Sequence, residues 1–118
     1  MGTIFIIDDD ENMSACLKRQ CGGNTTRAFS NAIEAMNAIA EGELPCCIFL
    51  DIILDGPDGF TFLNELASYP DTAKIPIIII SSLNLKNPDL RDYGVVGILE
   101  KDKMTPKEIR YYVNKYAA

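Results

Sequence analysis

Apolar and polar residues fall in blocks along this chain, and the blocks change period in a regular order. Thr3 to Ile7 is a short apolar run that stops abruptly at Asp8, Asp9, Asp10 and Glu11, as a buried strand meeting a loop does. From Asn12 to Cys21 the residues Met13, Cys16, Leu17 and Cys21 share one helical face, and Gly22-Gly23 stops the helix. Thr25 to Phe29 predicts a second, weaker strand. Asn31 followed by Glu34 has the form of a capping box opening a helix through Ile33, Met36, Ile39 and Ala40, which Gly42 closes. Cys46 to Leu50 is a continuous apolar run ending on Asp51, so a second strand delivers a carboxylate at its carboxyl end.

The same alternation continues through the second half. After the turn-rich stretch Asp55-Gly56-Pro57-Asp58-Gly59, the residues Phe62, Leu63, Leu66 and Ala67 predict a third helix ending near Pro70. Ile75 to Ile80 is the clearest strand, because β-branched residues suit a sheet buried on both faces, and it ends on Ser81 and Ser82. Asn84 to Tyr93, with Pro88 at a first helical position and Gly94 beyond, predicts a short fourth helix. Gly97 to Glu100 predicts a brief strand ending on Lys101. Thr105-Pro106-Lys107-Glu108 then supplies cap, first-turn proline and capping-box glutamate for a fifth helix through Ile109, Tyr112, Val113 and Tyr116.

Strand-then-helix repeats with short crossovers imply a parallel sheet covered by helices on both faces, since parallel strands need such crossovers. The expectation is one α/β domain over residues 1–118, five strands and five helices, with no linker and no attached effector domain. In the strand order 2-1-3-4-5 the topological switch lies between strands one and three, where ligands gather at the carboxyl ends. Asp8, Asp9 and Asp51 would meet there.

Composition changes this picture mainly by exclusion. A hydrophobic share of 47% and a charged share of 24% are ordinary for a domain that buries its own core. A net charge of −6 with no basic patch excludes direct nucleic-acid binding, which needs cations to displace counterions from phosphates. Histidine is absent, which removes Ser/His and Cys/His catalysis, imidazole metal ligands and any phosphohistidine on this chain. Cys16, Cys21, Cys46 and Cys47 lack zinc-site spacing and are expected to be buried, reduced thiols. The run Asp8-x-Asp10-x-Asn12 begins like a calcium loop, but Met13 stands where that loop needs glycine and Arg19 where it needs glutamate. No apolar run spans a bilayer and no secretory leader opens the chain, so neither membrane insertion nor export is expected, and a cytoplasmic location is.

Three carboxylates brought within a few ångströms repel one another unless one is protonated or a divalent cation neutralises them. A hard, oxygen-lined site suits Mg2+, with Asp9 as direct ligand and Asp8 beside it. Such an ion bridges a carboxylate and a phosphoryl oxygen while charge moves, which lets Asp51 attack phosphorus and form an acyl phosphate. The remaining phosphoryl oxygens would need a hydroxyl donor and a cation from other strands, and Ser81 and Lys101 end the next two. Asp10 and Glu11 are expected to be ordinary helix N-terminal charges.

In these residues the chain resembles the receiver domain of bacterial two-component response regulators, over nearly its whole length and with the flavodoxin-like fold. Asp8-Asp9 after Ile4-Phe5-Ile6-Ile7 is similar to the family's acidic pair, Asp51 to its phosphoacceptor, Ser81 to its switch hydroxyl and Lys101 to its invariant lysine, and Asp58-Gly59 fits as well. The resemblance implies a Mg2+ cofactor, with the backbone carbonyl of Ile53 as a further ligand. It implies transfer from a phosphohistidine on a sensor histidine kinase or histidine phosphotransfer protein, followed by a shift of Ser81 that a downstream protein reads by docking or by relay. The chain would then be a signalling domain that takes part in its own phosphorylation and dephosphorylation, and not an enzyme acting on a separate substrate.

Some positions depart from the family pattern. Ile98 stands where many members carry an aromatic residue coupled to the switch hydroxyl, Asp102 stands after Lys101 where many have proline, and Pro57 is displaced away from Asp51. Ile53 and Leu83 are apolar at positions where polar groups would position attacking water, which predicts slow self-dephosphorylation. Two alternatives stand beside this reading: a degenerate receiver that only binds a partner, which the Ile98 and Asp102 departures favour, and an aspartyl-nucleophile phosphatase, which the Asp51 strand would resemble. The second would need another aspartate two residues after Asp51, where Ile53 stands.

Overall fold

Strand and helix alternate along the chain in the computed structural model, which describes residues 2–51, 58–81 and 93–117, with the side chains of 58–60 outside that description. The elements in order are β1 (Thr3–Ile7), α1 (Glu11–Gln20), β2 (Thr25–Phe29), α2 (Ala32–Ala40), β3 (Cys47–Asp51), α3 (Asp58–Ala67), α4 (Pro70–Ala73), β4 (Ile77–Ser81), β5 (Val95–Glu100) and α5 (Pro106–Tyr116). The strands form one parallel sheet in the order β2-β1-β3-β4-β5, the order expected from the alternation.

Local capping explains where the helices begin. Asp10 accepts hydrogen bonds from the amides of Asn12 and Met13 and so opens α1, while Asn31 accepts from the amide of Glu34 to open α2. Thr105 and Glu108 form the complete reciprocal box at α5, with Pro106 in the first turn where its missing N–H costs nothing.

Several boundaries differ from the periodicity. The single-turn α4 was not expected. Pro70 starts it, and the buried Thr72 hydroxyl donates to the Leu66 carbonyl, tying the turn back onto α3. The strand expected from Ile75 begins at Ile77, and β5 begins at Val95, because Ile77 pairs with Val95 across the ladder. The helix expected over Asn84 to Tyr93 lies outside the described residues except for Tyr93, which packs on the core.

Successive strand residues point to opposite faces, so the sheet builds two cores. Phe5, Ile7, Ile48, Leu50, Ile77 and Ile79 bury against α2 and α3, around Ala35, Phe62 and Leu63. Ile4, Ile6, Phe49, Ile78, Ile80 and Leu99 bury on the other face against Leu17 of α1 and Ile109 and Val113 of α5. Gly97 is required on this second face, since a Cβ there would overlap the Tyr112 ring lying across β5. The carboxyl ends of β1, β3, β4 and β5 then come side by side at one edge of the molecule.

Candidate functional site

The site is assembled from the residues that end these strands. Asp8 follows β1 directly, and its own amide donates to the Phe29 carbonyl at 3.0 Å, extending the β1–β2 ladder one residue beyond the strand. Its Oδ1 accepts from the Asp10 amide at 2.9 Å, an Asx turn that leads into α1. Asp51 is the last residue of β3, paired in register with Ile80, and Ser81 is the next residue of β4. Ser81 is fully buried, and its carbonyl accepts from the Lys101 amide at 2.8 Å, which fixes where Lys101 leaves β5.

Lys101 reaches across this edge to the carboxylates. Its Nζ donates to Asp51 Oδ2 at 3.1 Å and lies 3.6 Å from Asp8 Oδ2. Burial lowers the Lys101 ammonium's pKa, but the hydrogen bond and charge of Asp51, reinforced by Asp8, outweigh that and leave it above its ordinary value. The lysine is therefore a fixed cation.

Asp8 is in the opposite situation. Its side chain is 1% exposed, and Oδ2 has no hydrogen-bond partner within bonding distance. Burial, which outweighs the Asp10 amide's opposing pull, and the nearby charge of Asp51 raise its pKa from 3.8 to about 6. A buried carboxylate oxygen without a hydrogen bond, beside a second carboxylate and with only Lys101 at 3.6 Å, suits a cation ligand. The donor set agrees, since Asp8, Asp9 and Asp51 offer carboxylate oxygens all within 4.8 Å of one another, with Asp9 exposed toward solvent. Hard oxygen donors in this number fit a divalent ion that keeps part of its water shell.

Of the residues singled out from the sequence, Asp8, Asp9, Asp51 and Lys101 come together, and Ser81 sits at the end of the adjoining strand. Ile53, like Ser82, Leu83 and Pro57, lies outside the described residues. Sequence reasoning missed how Asp10 and Phe29 hold Asp8 in place. The Asp8-x-Asp10 spacing was a legible signal for the Asx turn, but the Phe29 contact needs the sheet.

Comparison with known proteins decides the family. The model of the response regulator receiver domain matches residues 4–114. This chain belongs to that family. It is 31% identical over 86 residues to the response regulator PleD of Caulobacter vibrioides, a match that covers 69% of this chain and only 18% of PleD. A putative response regulator from Chloroflexus aurantiacus shares 25% identity and superposes with a TM-score of 0.78, covering 98% of this chain and 96% of that one. The Mn2+-bound form of the response regulator Rcp1, 20% identical, superposes with a TM-score of 0.71 over 98% of this chain and 91% of its own. The chain is thus a receiver domain of two-component signalling, a family whose members bind a divalent metal and are phosphorylated by histidine kinases. Among the described residues no helix is long and apolar enough to cross a membrane. All described peptide bonds are trans, Lys101–Asp102 included, and Ile98 packs half-buried against the α2–α3 core.

Proposed function

We propose that this receiver takes a phosphoryl group on Asp51 from a phosphohistidine of a sensor kinase or phosphotransfer protein, and signals by docking or by onward relay. The observation that carries this reading is the meeting of Asp51 with one lysine and two further carboxylates at the strand ends, one of them with an orphaned buried oxygen. Asp8, Asp9, Asp51 and the Ile53 carbonyl would hold Mg2+. When bound, the ion supplies charge neutralisation for the transferring phosphoryl oxygens.

The chain's own residues do the rest. An Asp51 oxygen forms the new P–O bond as the P–N bond to the donor imidazole breaks, and the imidazole keeps the electron pair. Lys101, already hydrogen-bonded to Asp51, pairs with a phosphoryl oxygen in the product, and the Ser81 hydroxyl donates to another. Ile53 and Leu83 are apolar at positions where polar groups would position attacking water, so the acyl phosphate is expected to decay slowly.

Intact-mass measurement after incubation with a phosphohistidine donor and Mg2+ tests this directly. Wild type is expected to gain one phosphoryl group and Asp51→Ala none. A wild type that gains none favours a receiver acting only as a binding module, and turnover of an unrelated phosphate ester lost in Asp51→Ala favours a phosphatase. Loss of the added mass within seconds of removing the donor overturns the slow-decay part.

A further inference from the structure

Among the described residues, the helices on the two faces of the sheet differ sharply in charge. On the α1–α5 side, Lys18, Arg19, Lys107, Arg110 and Lys115 outnumber Glu11 and Glu108. On the α2–α3–α4 side, residues 31–45 and 58–74 contain one basic residue, Lys74 at the end of α4, against Glu34, Glu41, Glu43, Asp58, Glu65 and Asp71. Helix C-termini carry partial negative charge that a cation in the last turn offsets. Lys18 and Arg19 do this for α1 and Lys115 for α5, whereas α2 and α3 have no basic residue in the last turn.

An apolar groove runs along this acidic side. It has a volume of ≈ 230 Å³, with Ile33, Met36 and Asn37 of α2 facing Thr61, Phe62 and Glu65 of α3. Ile33 at its rim is 64% exposed, the highest value among the exposed large hydrophobic residues of the described chain. The volume falls below the roughly 300–1,000 Å³ of small-molecule sites and suits one or two inserted side chains. Glu65 is the one carboxylate among the residues that line the groove, while Glu34 and Glu41, at spacings of three and four from Asn37, stand beyond it on the outer side of α2. Arg27, in the adjoining hollow with Glu34 and Glu41, is already paired with Glu43.

We infer that the α2–α3 groove docks a basic amphipathic helix of a partner protein. One or two bulky apolar side chains of that helix enter between Met36 and Phe62, and lysines or arginines a turn away pair with Glu41 and Glu65. These cations also supply the charge that the ends of α2 and α3 lack. The acidic surroundings of the groove disfavour an anionic membrane or nucleic acid on this face, since both bring more negative charge. The surface is separate from the Asp51 edge, so the inference stands whether or not Asp51 takes phosphate.

The test uses the intact chain and two synthetic helical peptides with the same apolar spacing, one flanked by lysines and one by glutamates. Amide chemical shifts report where each binds. The lysine peptide is expected to shift Ile33, Met36, Asn37, Thr61 and Glu65 and to bind at least tenfold tighter than the glutamate peptide. The exposed-site variant Glu41→Lys/Glu65→Lys should keep the wild-type fold by circular dichroism and reverse that preference. Equal binding of both peptides, or shifts centred on α1 and α5, would overturn the proposal. So would concentration-dependent self-association that the lysine peptide abolishes, which would make a second copy of this chain the occupant.

Discussion

At the carboxyl end of the sheet, burial gathers charge: Asp8 and Asp51 are packed against Lys101, and one Asp8 oxygen is left without a hydrogen bond. At the amino end, burial gathers soft, neutral groups: Cys47 opens β3, Cys21 caps α1, and both thiols are sealed from solvent with Cys46 beside them. Burial raises the pKa of Cys21 to about 11, and burial together with Cys46 pushes Cys47 up further. The thiols thus stay neutral and inert at physiological pH. The same sheet therefore stores electrostatic tension at one end and almost none at the other. Reactivity follows the tension, because a buried group that would rather be neutralised is one that binds cations and exchanges charge.

The largest test of that contrast is pH. Below 3.8 Asp8 is protonated in both folded and unfolded chains, so it adds no penalty. As pH rises through the folded value of about 6, the unfolded chain has already released its proton, and the folded one must release it against burial. In chelator, urea unfolding should lose about 2–3 kcal/mol from this group between these limits. Asp8→Asn should flatten that part of the profile, and saturating Mg2+ should offset it in wild type. An unchanged pH slope in Asp8→Asn would remove Asp8 as the seat of the tension.

A change at the amino end should lower stability without touching the charged site. Cys47→Ser places a hydroxyl where the surroundings are apolar, and a stability loss of about 1–3 kcal/mol is expected by urea titration, with no change in cation binding. Cys21 and Cys47 should also resist alkylation at pH 8 until the chain is unfolded. Fast labelling of both in the folded chain would break the contrast.

The smallest effect separates support from chemistry. Thr105→Ala removes the cap of α5 and should cost about 1 kcal/mol while leaving cation affinity within twofold. A larger change in affinity would mean that the turn after Lys101 tunes the site.

Much of this could be read along the chain. Five-residue apolar runs ending on acid, the Thr105 box and the Asn31 cap are local patterns, and each produced the element it predicts. Failures came where tertiary contacts decide: β4 begins at Ile77 and not Ile75, and α4 exists because Thr72 ties to Leu66. Residues at the site were legible for the same local reason, since a polar residue ending a buried strand stands out against the run before it.

What the sequence by itself determined, then, is the alternation of strand and helix and the identity of the polar residues that end the strands. Period and capping act over a few residues and need no distant partner. Only the tertiary structure decided that Lys101 lies 3.1 Å from Asp51, fifty positions away, that Asp8 rather than Asp9 is the sealed carboxylate, and that the α2–α3 side holds an apolar groove with Glu65 at its edge. Those facts depend on strand order, register and helix packing, which set distances between residues that no local pattern connects.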